Sequence, residues 1–106
     1  MVARFDVFLV DLNPTKGSEQ AGTRPVLVVS PDDMNRWLKT VIVAPMTTKL
    51  RGWPTRILIE HGGKEGEVAL DQLRTIDKSR LGRNFGTLDP QYHDAILDKL
   101  SEIFSK

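Results

Sequence analysis

The chain has 106 residues, a hydrophobic fraction of 40%, no cysteine and a formal net charge of +1. That length suits one domain, 1–106, whose single core buries about 60% of the extended surface. The lack of cysteine excludes a disulfide scaffold, a thiol nucleophile and a thiolate metal site; the short apolar runs exclude a membrane span or a secretory leader, so a soluble cytoplasmic protein is the expectation.

Phe5 to Leu12 reads as a strand with Phe5, Val7 and Leu9 on one face. The segment PTKGSEQAGTRP, residues 14–25, follows. It is too long for a tight hairpin and rich in glycine and charge, with Gly17 and Gly22 supplying bends. Arg24 to Ser30 is a second, mostly apolar strand, hence central, and Pro31 ends it. Asp32 to Asn35 forms a turn or a short helix. Thr40 to Met46 is a third strand, with Pro45 marking an edge or a bulge. Arg56 to Glu60 is a fourth, followed by a turn over His61 to Gly66, and Glu67 to Leu70 is a fifth. Weaker strand signals run over Leu73–Ile76 and Arg83–Leu88.

The period then changes. Asp89 is an N-cap and Pro90 the first helical residue. Tyr92, Ile96, Leu100 and Ile103 share a face, with Leu97 and Phe104 beside them, which predicts an amphipathic helix of about four turns. The fold class is therefore mainly β with a C-terminal helix, a small, strongly curved barrel-like sheet. A doubly wound α/β fold would need strands alternating with long helices.

Basic residues are unevenly spread. Lys16, Arg24, Lys49, Arg51 and Arg56 fall in loops or at strand ends, and Arg74, Lys78, Arg80 and Arg83 face Asp77 alone within 74–86. Such a scatter is either solvated surface or a positive groove for a polyanion. His61 and His93 read as surface residues, so a two-histidine acid–base site is not indicated. Arg24 either ends a strand and pairs with Glu19, or grips a phosphate with its rigid fork. Thr47 and Thr48 are turn hydroxyls or donors to a phosphodiester oxygen. Lys49, Arg51 and Trp53 combine backbone attraction with a base-stacking platform. Asp71 and Gln72 either satisfy a backbone bend or read base edges, and Arg74 and Arg80 would extend the groove. Trp37 is a core or interface residue. Metal-ligand spacing is absent, and no glycine pattern matches a phosphate or dinucleotide loop.

Three stretches together carry a resemblance that spans the chain from Phe5 to the helix. PTKGSEQAGTRPVLVVSP resembles the opening motif of the MazF/PemK/Kid family of toxin endoribonucleases, VAPMTTKLRGWP its second motif and VALDQLRTID its third. The resemblance implies an SH3-like small barrel of the CcdB/PemK type and a homodimer. It also implies cleavage of single-stranded RNA, commonly messenger RNA, without a metal or other cofactor. The ribose 2′-oxygen would attack the adjacent phosphate, giving a 2′,3′-cyclic phosphate and a 5′-hydroxyl. A cognate antitoxin would inhibit by laying a disordered segment across the RNA groove.

Carried onto this chain, Arg24 stands at the motif arginine, Thr47 at the motif threonine, Glu19 at the loop glutamate and Asp71 at the third-motif aspartate. Lys16, Gln20, Thr48, Lys49, Arg51, Trp53, Asp71, Gln72, Arg74 and Arg80 are the expected RNA contacts. Some relatives carry histidine where this chain has Ser18, and arginine where it has Ala69. A catalytic centre on Arg24 and Thr47 therefore fits better than one built on an arginine–aspartate pair. Glu19 is either a base or the orienter of Arg24. The alternatives are a non-catalytic RNA-binding barrel and a gyrase-directed toxin of the same fold.

Overall fold

The computed structural model describes residues 1–106. Seven strands run β1 (Asp6–Asp11), β2 (Thr23–Val28), β3 (Thr40–Thr47), β4 (Arg56–His61), β5 (Lys64–Ala69), β6 (Arg74–Asp77) and β7 (Asn84–Thr87). Helix α1 (Asp32–Trp37) follows β2 and α2 (His93–Phe104) closes the chain, with 3₁₀ turns at Leu70–Gln72, Lys78–Arg80 and Pro90–Tyr92. The sheet order is β4-β5-β3-β2-β1-β7, and β6 pairs with β3 off that path. This is a mostly β half-barrel with a C-terminal helix. No helix is long and apolar enough to cross a membrane.

β2 is central, as its apolar composition requires, lying between β1 and β3. β3 pairs with β6 over Thr40–Val43 and with β5 over Met46–Thr47. Pro45 falls in the gap between those two ladders, where a residue without an N–H is tolerated.

Both faces of the sheet are buried. One packs Phe5, Val7, Leu27, Ala44, Met46, Val68 and Leu88 under Ile96 of α2, with Tyr92, Leu97, Leu100 and Ile103 around it. The other packs Phe8, Val10, Leu12, Val26, Val28, Val41, Val43 and Ile76. Leu9, expected beside Val7, is only half-buried; its backbone instead exchanges bonds with Arg83 and Gly82, 2.8 Å each. Asp89 caps the 3₁₀ turn before α2 by accepting from the Gln91 N–H at 3.0 Å. Phe104, at the end of the helix, overhangs the core and is exposed.

Two expectations need correction. The turn expected over His61–Gly66 shrinks to two residues, because β5 begins at Lys64 and pairs with His61. Gly62 and Gly63 have φ of 61° and 77°, the double left-handed turn that matches strand twist in a tight hairpin. His93 is half-buried rather than a free surface residue. Its ring stacks on Phe5 at 3.7 Å between centroids, and its Nε2–H donates to the Leu88 carbonyl at 2.8 Å.

The half-barrel closes across a seam. The Glu60 N–H donates to the Tyr92 hydroxyl at 3.1 Å, and His61 Nε2–H donates to the Phe85 carbonyl at 2.9 Å. These bonds tie β4 to the 3₁₀ turn before α2 and to β7, so His61 is a seam residue. Elsewhere the packing is backbone against backbone: a Cβ on Gly66 would stand 2.9 Å from the Thr47 carbonyl oxygen. No flexible side chain can yield there. Gly66→Ala is expected to push β5 off β3 at a cost of about 1–3 kcal/mol, read by urea denaturation. An unchanged midpoint would show that this spacing gives way freely.

Candidate functional site

One long groove of about 900 Å³ runs over one side of the half-barrel. The β1–β2 loop forms one wall through Ser18, Glu19, Gln20 and Ala21, and the β4–β5 hairpin forms the other through His61, Lys64, Glu65 and Gly66. Arg24, Thr47, Thr48, Lys49 and Arg51 stand between them, and Val7, Met46 and Ile59 give it apolar floor. Five basic side chains and two carboxylates line it, so an almost neutral protein presents a positive groove.

Arg24 and Thr47 lie two residues beyond the last β2–β3 pair, Val26 opposite Pro45, on neighbouring strand ends, and both side chains line the groove. The Arg24 Nε–H donates to the Ala21 carbonyl at 3.0 Å, which anchors the side chain and leaves its terminal amino groups free. Thr47 Oγ1 accepts from the Lys49 N–H at 3.1 Å, so its own hydroxyl hydrogen remains available to donate. Glu19 does not orient Arg24. Its Oε1 accepts from the Lys16 N–H at 2.5 Å, and its own N–H donates to the Lys16 carbonyl at 3.2 Å, closing a turn. The orienting partner of Arg24 is the Ala21 carbonyl. Loop bends at Gly17 and Gly22 have φ of 60° and 79°.

The other expected contacts divide. Gln20, Thr48, Lys49 and Arg51 line the groove with Glu19. Asp71, Gln72 and Arg74 line a separate cavity of about 360 Å³, and Glu19 and Gln20 border both spaces. Lys16, Trp53 and Arg80 line neither.

Several of these residues hold the scaffold. Asp71 accepts from Arg56 Nε and Thr55 Oγ1 at 2.8 Å each, and from Arg56 Nη2 at 3.4 Å. Gln72 Oε1 accepts from the Gln20 N–H at 3.2 Å. Arg74 Nη1 donates to the Leu12 carbonyl at 2.7 Å, and Arg80 Nη2 donates to the Asp11 and Asn13 carbonyls. These bonds fasten both stems of the β1–β2 loop to the following elements. Arg74 and Arg80 therefore brace the groove wall instead of extending the groove. Trp53 is 47% exposed, with the Arg56 guanidinium 4.6 Å and the Arg51 guanidinium 5.2 Å from its ring centroid.

Arg56, read from sequence only as one of the scattered basic residues, and Glu67 form the hub beside the groove. Arg56 is buried and bridges Glu67 at 3.5 Å and Asp71 at 2.8 Å. Glu67, also buried, accepts from the Arg51 N–H at 3.0 Å and the Gly52 N–H at 2.8 Å, which shapes the loop carrying Lys49 and Arg51. Burial raises the Glu67 pKa, but those N–H donors and the Arg56 guanidinium outweigh it and hold the carboxyl below its ordinary value. For Asp71, burial likewise opposes ionisation, and hydrogen bonds from Arg56 and Thr55 prevail. The sequence signal was an acid directly before the apolar Val68-Ala69-Leu70 run, but its partner follows only from hairpin pairing. No group of three or more His, Asp or Glu side chains comes together as a metal-ligand set.

Residues 3–104 match the family described as PemK-like, MazF-like toxin of type II toxin-antitoxin system. The chain is 41% identical over 108 residues to Endoribonuclease EndoA of Bacillus subtilis (strain 168), covering 96% of this chain and 90% of that protein. It is 42% identical over 87 residues to Endoribonuclease MazF of Staphylococcus saprophyticus, covering 76% and 72%. Among solved structures it is similar to a mycobacterial endoribonuclease in complex with its cognate antitoxin. There the TM-score is 0.83 at 27% identity, with 96% of this chain and 93% of that one covered. The half-barrel is thus the PemK/MazF/CcdB-like fold, and the chain belongs to the PemK-like, MazF-like toxin family of type II toxin-antitoxin systems.

Proposed function

We propose that this single-domain protein is a sequence-specific, metal-independent endoribonuclease toxin that cuts single-stranded RNA, messenger RNA above all, and is inhibited by a cognate antitoxin. The observation that carries this reading is that Arg24 and Thr47, from neighbouring strand ends, line one groove with five basic side chains. In the reaction, the ribose 2′-oxygen forms a bond to phosphorus as the bond to the 5′-oxygen breaks. The 2′ proton leaves to a base and the 5′-oxygen gains one, giving a 2′,3′-cyclic phosphate and a 5′-hydroxyl.

Arg24 binds the scissile phosphate and stabilises charge developing on its oxygens. Thr47 donates its free hydroxyl hydrogen to a non-bridging oxygen. Glu19 has Oε2 uncommitted on the groove wall, which suits it to accept the 2′ proton. Arginine, protonated at all ordinary pH, suits charge stabilisation better than proton removal. In-line positioning of the attacking oxygen supplies much of the rate.

The protein acts as a homodimer in this reading. Trp37 is 79% exposed beside exposed Leu38 at the end of α1, and a second copy would give such a surface cover. An acidic, disordered antitoxin segment would compete with RNA for the basic groove.

Purified protein incubated in EDTA with diverse single-stranded RNAs is expected to yield 2′,3′-cyclic phosphate and 5′-hydroxyl ends. One 2′-deoxy nucleotide at the cut should block cleavage, since the nucleophile is then missing. No cleavage of any RNA would sink the nuclease assignment, and 5′-phosphate ends would sink the internal nucleophile.

A further inference from the structure

The groove is longer than the Arg24–Thr47 pair needs. Its far end lies where the β4–β5 hairpin meets β7, and His61, Lys64 and Phe85 line it there. Register gives the separation. Thr47 is opposite Glu67 on β5, and Lys64, opposite His61, stands three residues further along the same strand. At a strand rise of about 3.4 Å per residue, that is about 10 Å. That backbone separation suits His61 and Lys64 to a neighbouring nucleotide.

Phe85 is the notable side chain at this end. The residue is 38% exposed on an otherwise apolar-free strand, and the Arg83 guanidinium lies 5.5 Å from its ring centroid. The Phe85 backbone is not left loose. Its carbonyl accepts from His61 Nε2–H at 2.9 Å, and because a carbonyl can only accept, that nitrogen carries the proton. The Gly62–Gly63 turn next to His61 holds Lys64 over the same end. The result is a part-exposed aromatic ring with the Arg83 guanidinium against it, in the same groove lining as Lys64.

We infer that this end is a nucleotide subsite, separate from the scissile phosphate, in which one RNA base stacks on Phe85 and its phosphate meets Lys64. Arg83 packs against the ring. His61 is a positioning residue: it ties the hairpin to β7 and thereby sets the distance from platform to cleavage centre. The inference rests on the ribonuclease reading, and base stacking suits it because every base offers a π-face while the ring reads no particular edge.

The test is an abasic scan. Once the cut position in an oligoribonucleotide is mapped, each neighbouring base is removed in turn, and kcat/KM is measured for the parent protein and for Phe85→Ala. Phe85→Ala is expected to lose on the order of tenfold on the intact oligonucleotide. That loss should vanish when one particular base is absent and persist when others are, a non-additive pair. Phe85→Trp should restore the rate. His61→Ala should blur the pattern, with a smaller loss spread over two or more positions. A Phe85→Ala loss that is equal at every abasic position overturns the subsite, whether it arises from altered folding or altered assembly. So does an unchanged rate on the intact oligonucleotide. If the parent cleaves nothing, binding of a 2′-deoxy oligonucleotide to the same variants still decides the subsite while the nuclease reading alone fails.

Discussion

Arg24→Ala is expected to lower kcat/KM on RNA by on the order of 10²- to 10³-fold while leaving the denaturation midpoint close to the parent's. The two halves of that expectation have separate causes. The rate falls because a preorganised guanidinium, facing a developing phosphorane-like charge in a partly desolvated groove, acts mainly on the transition state. The fold survives because the side chain makes a single protein hydrogen bond, from Nε to the Ala21 carbonyl, and packs in neither core cluster. Arg24→Lys restores charge without the planar fork, so it should recover binding more than rate. Steady-state kinetics and urea denaturation on the same preparations check both halves. Parent-like cleavage by Arg24→Ala would remove Arg24 from the chemistry, and a collapse of the midpoint would make its role structural.

The largest stability effect is expected at the Arg56 hub. Arg56→Met should cost about 3–5 kcal/mol, against a total of about 5–15 kcal/mol for a domain of ordinary stability. The cost comes less from the lost attraction than from what remains. Glu67 is 3% exposed and would be left charged without its guanidinium, and Asp71 would lose a two-pronged partner. Adding Glu67→Gln to Arg56→Met should recover part of the loss, because one uncompensated charge is gone while an amide oxygen can still accept from Arg51 or Gly52.

This hub also makes a pH signature. Both carboxyls are held below their ordinary values of 4.5 and 3.8 in the folded state. Groups of that kind contribute stability that is fully present above the unfolded pKa and lost as pH falls through the folded one. The gap between parent and Arg56→Met should therefore be widest near neutrality and narrow as pH drops below those values. Urea midpoints across that acid range check it, and a gap that stays constant would detach the hub from acid stability. Because Arg56 also lines the groove, the variant should lose cleavage as well.

How much of this could be read from the chain depended on the range of the interactions involved. The alternation in Phe5–Leu12, the β-branched run at Thr40–Met46 and the Asp89-Pro90 cap are local, and the corresponding strands form where their patterns put them, while the cap starts a 3₁₀ turn and the α-helix itself begins three residues later, at His93. The limits of β5 were less legible. Lys64, Glu65 and Gly66 look like turn residues, yet they pair with β4 because two glycines suffice for the hairpin and the twist carries the ladder onward. Likewise His93 looked like surface until Phe5, almost the whole chain away, supplied its stacking partner.

The candidate site divides along the same line. Arg24 and Thr47 were legible as polar ends of apolar strands within a three-motif resemblance, and so was a basic character for the surrounding loops. The chain alone settled composition, strand and helix types, and the chemical kind of side chain at each position, since these follow from local sterics and from how hydrophobic residues recur. Tertiary structure alone decided which of the basic residues face the groove. Arg24, Lys49, Arg51 and Arg56 line it, while Arg74 and Arg80 turn to carbonyls at the loop stem. It also set Glu19 on Lys16 rather than Arg24, and made Asp71 and Glu67 partners of one buried guanidinium. The reason is that a charged side chain chooses among partners by distance and burial, and both are set by strand register far from it in sequence.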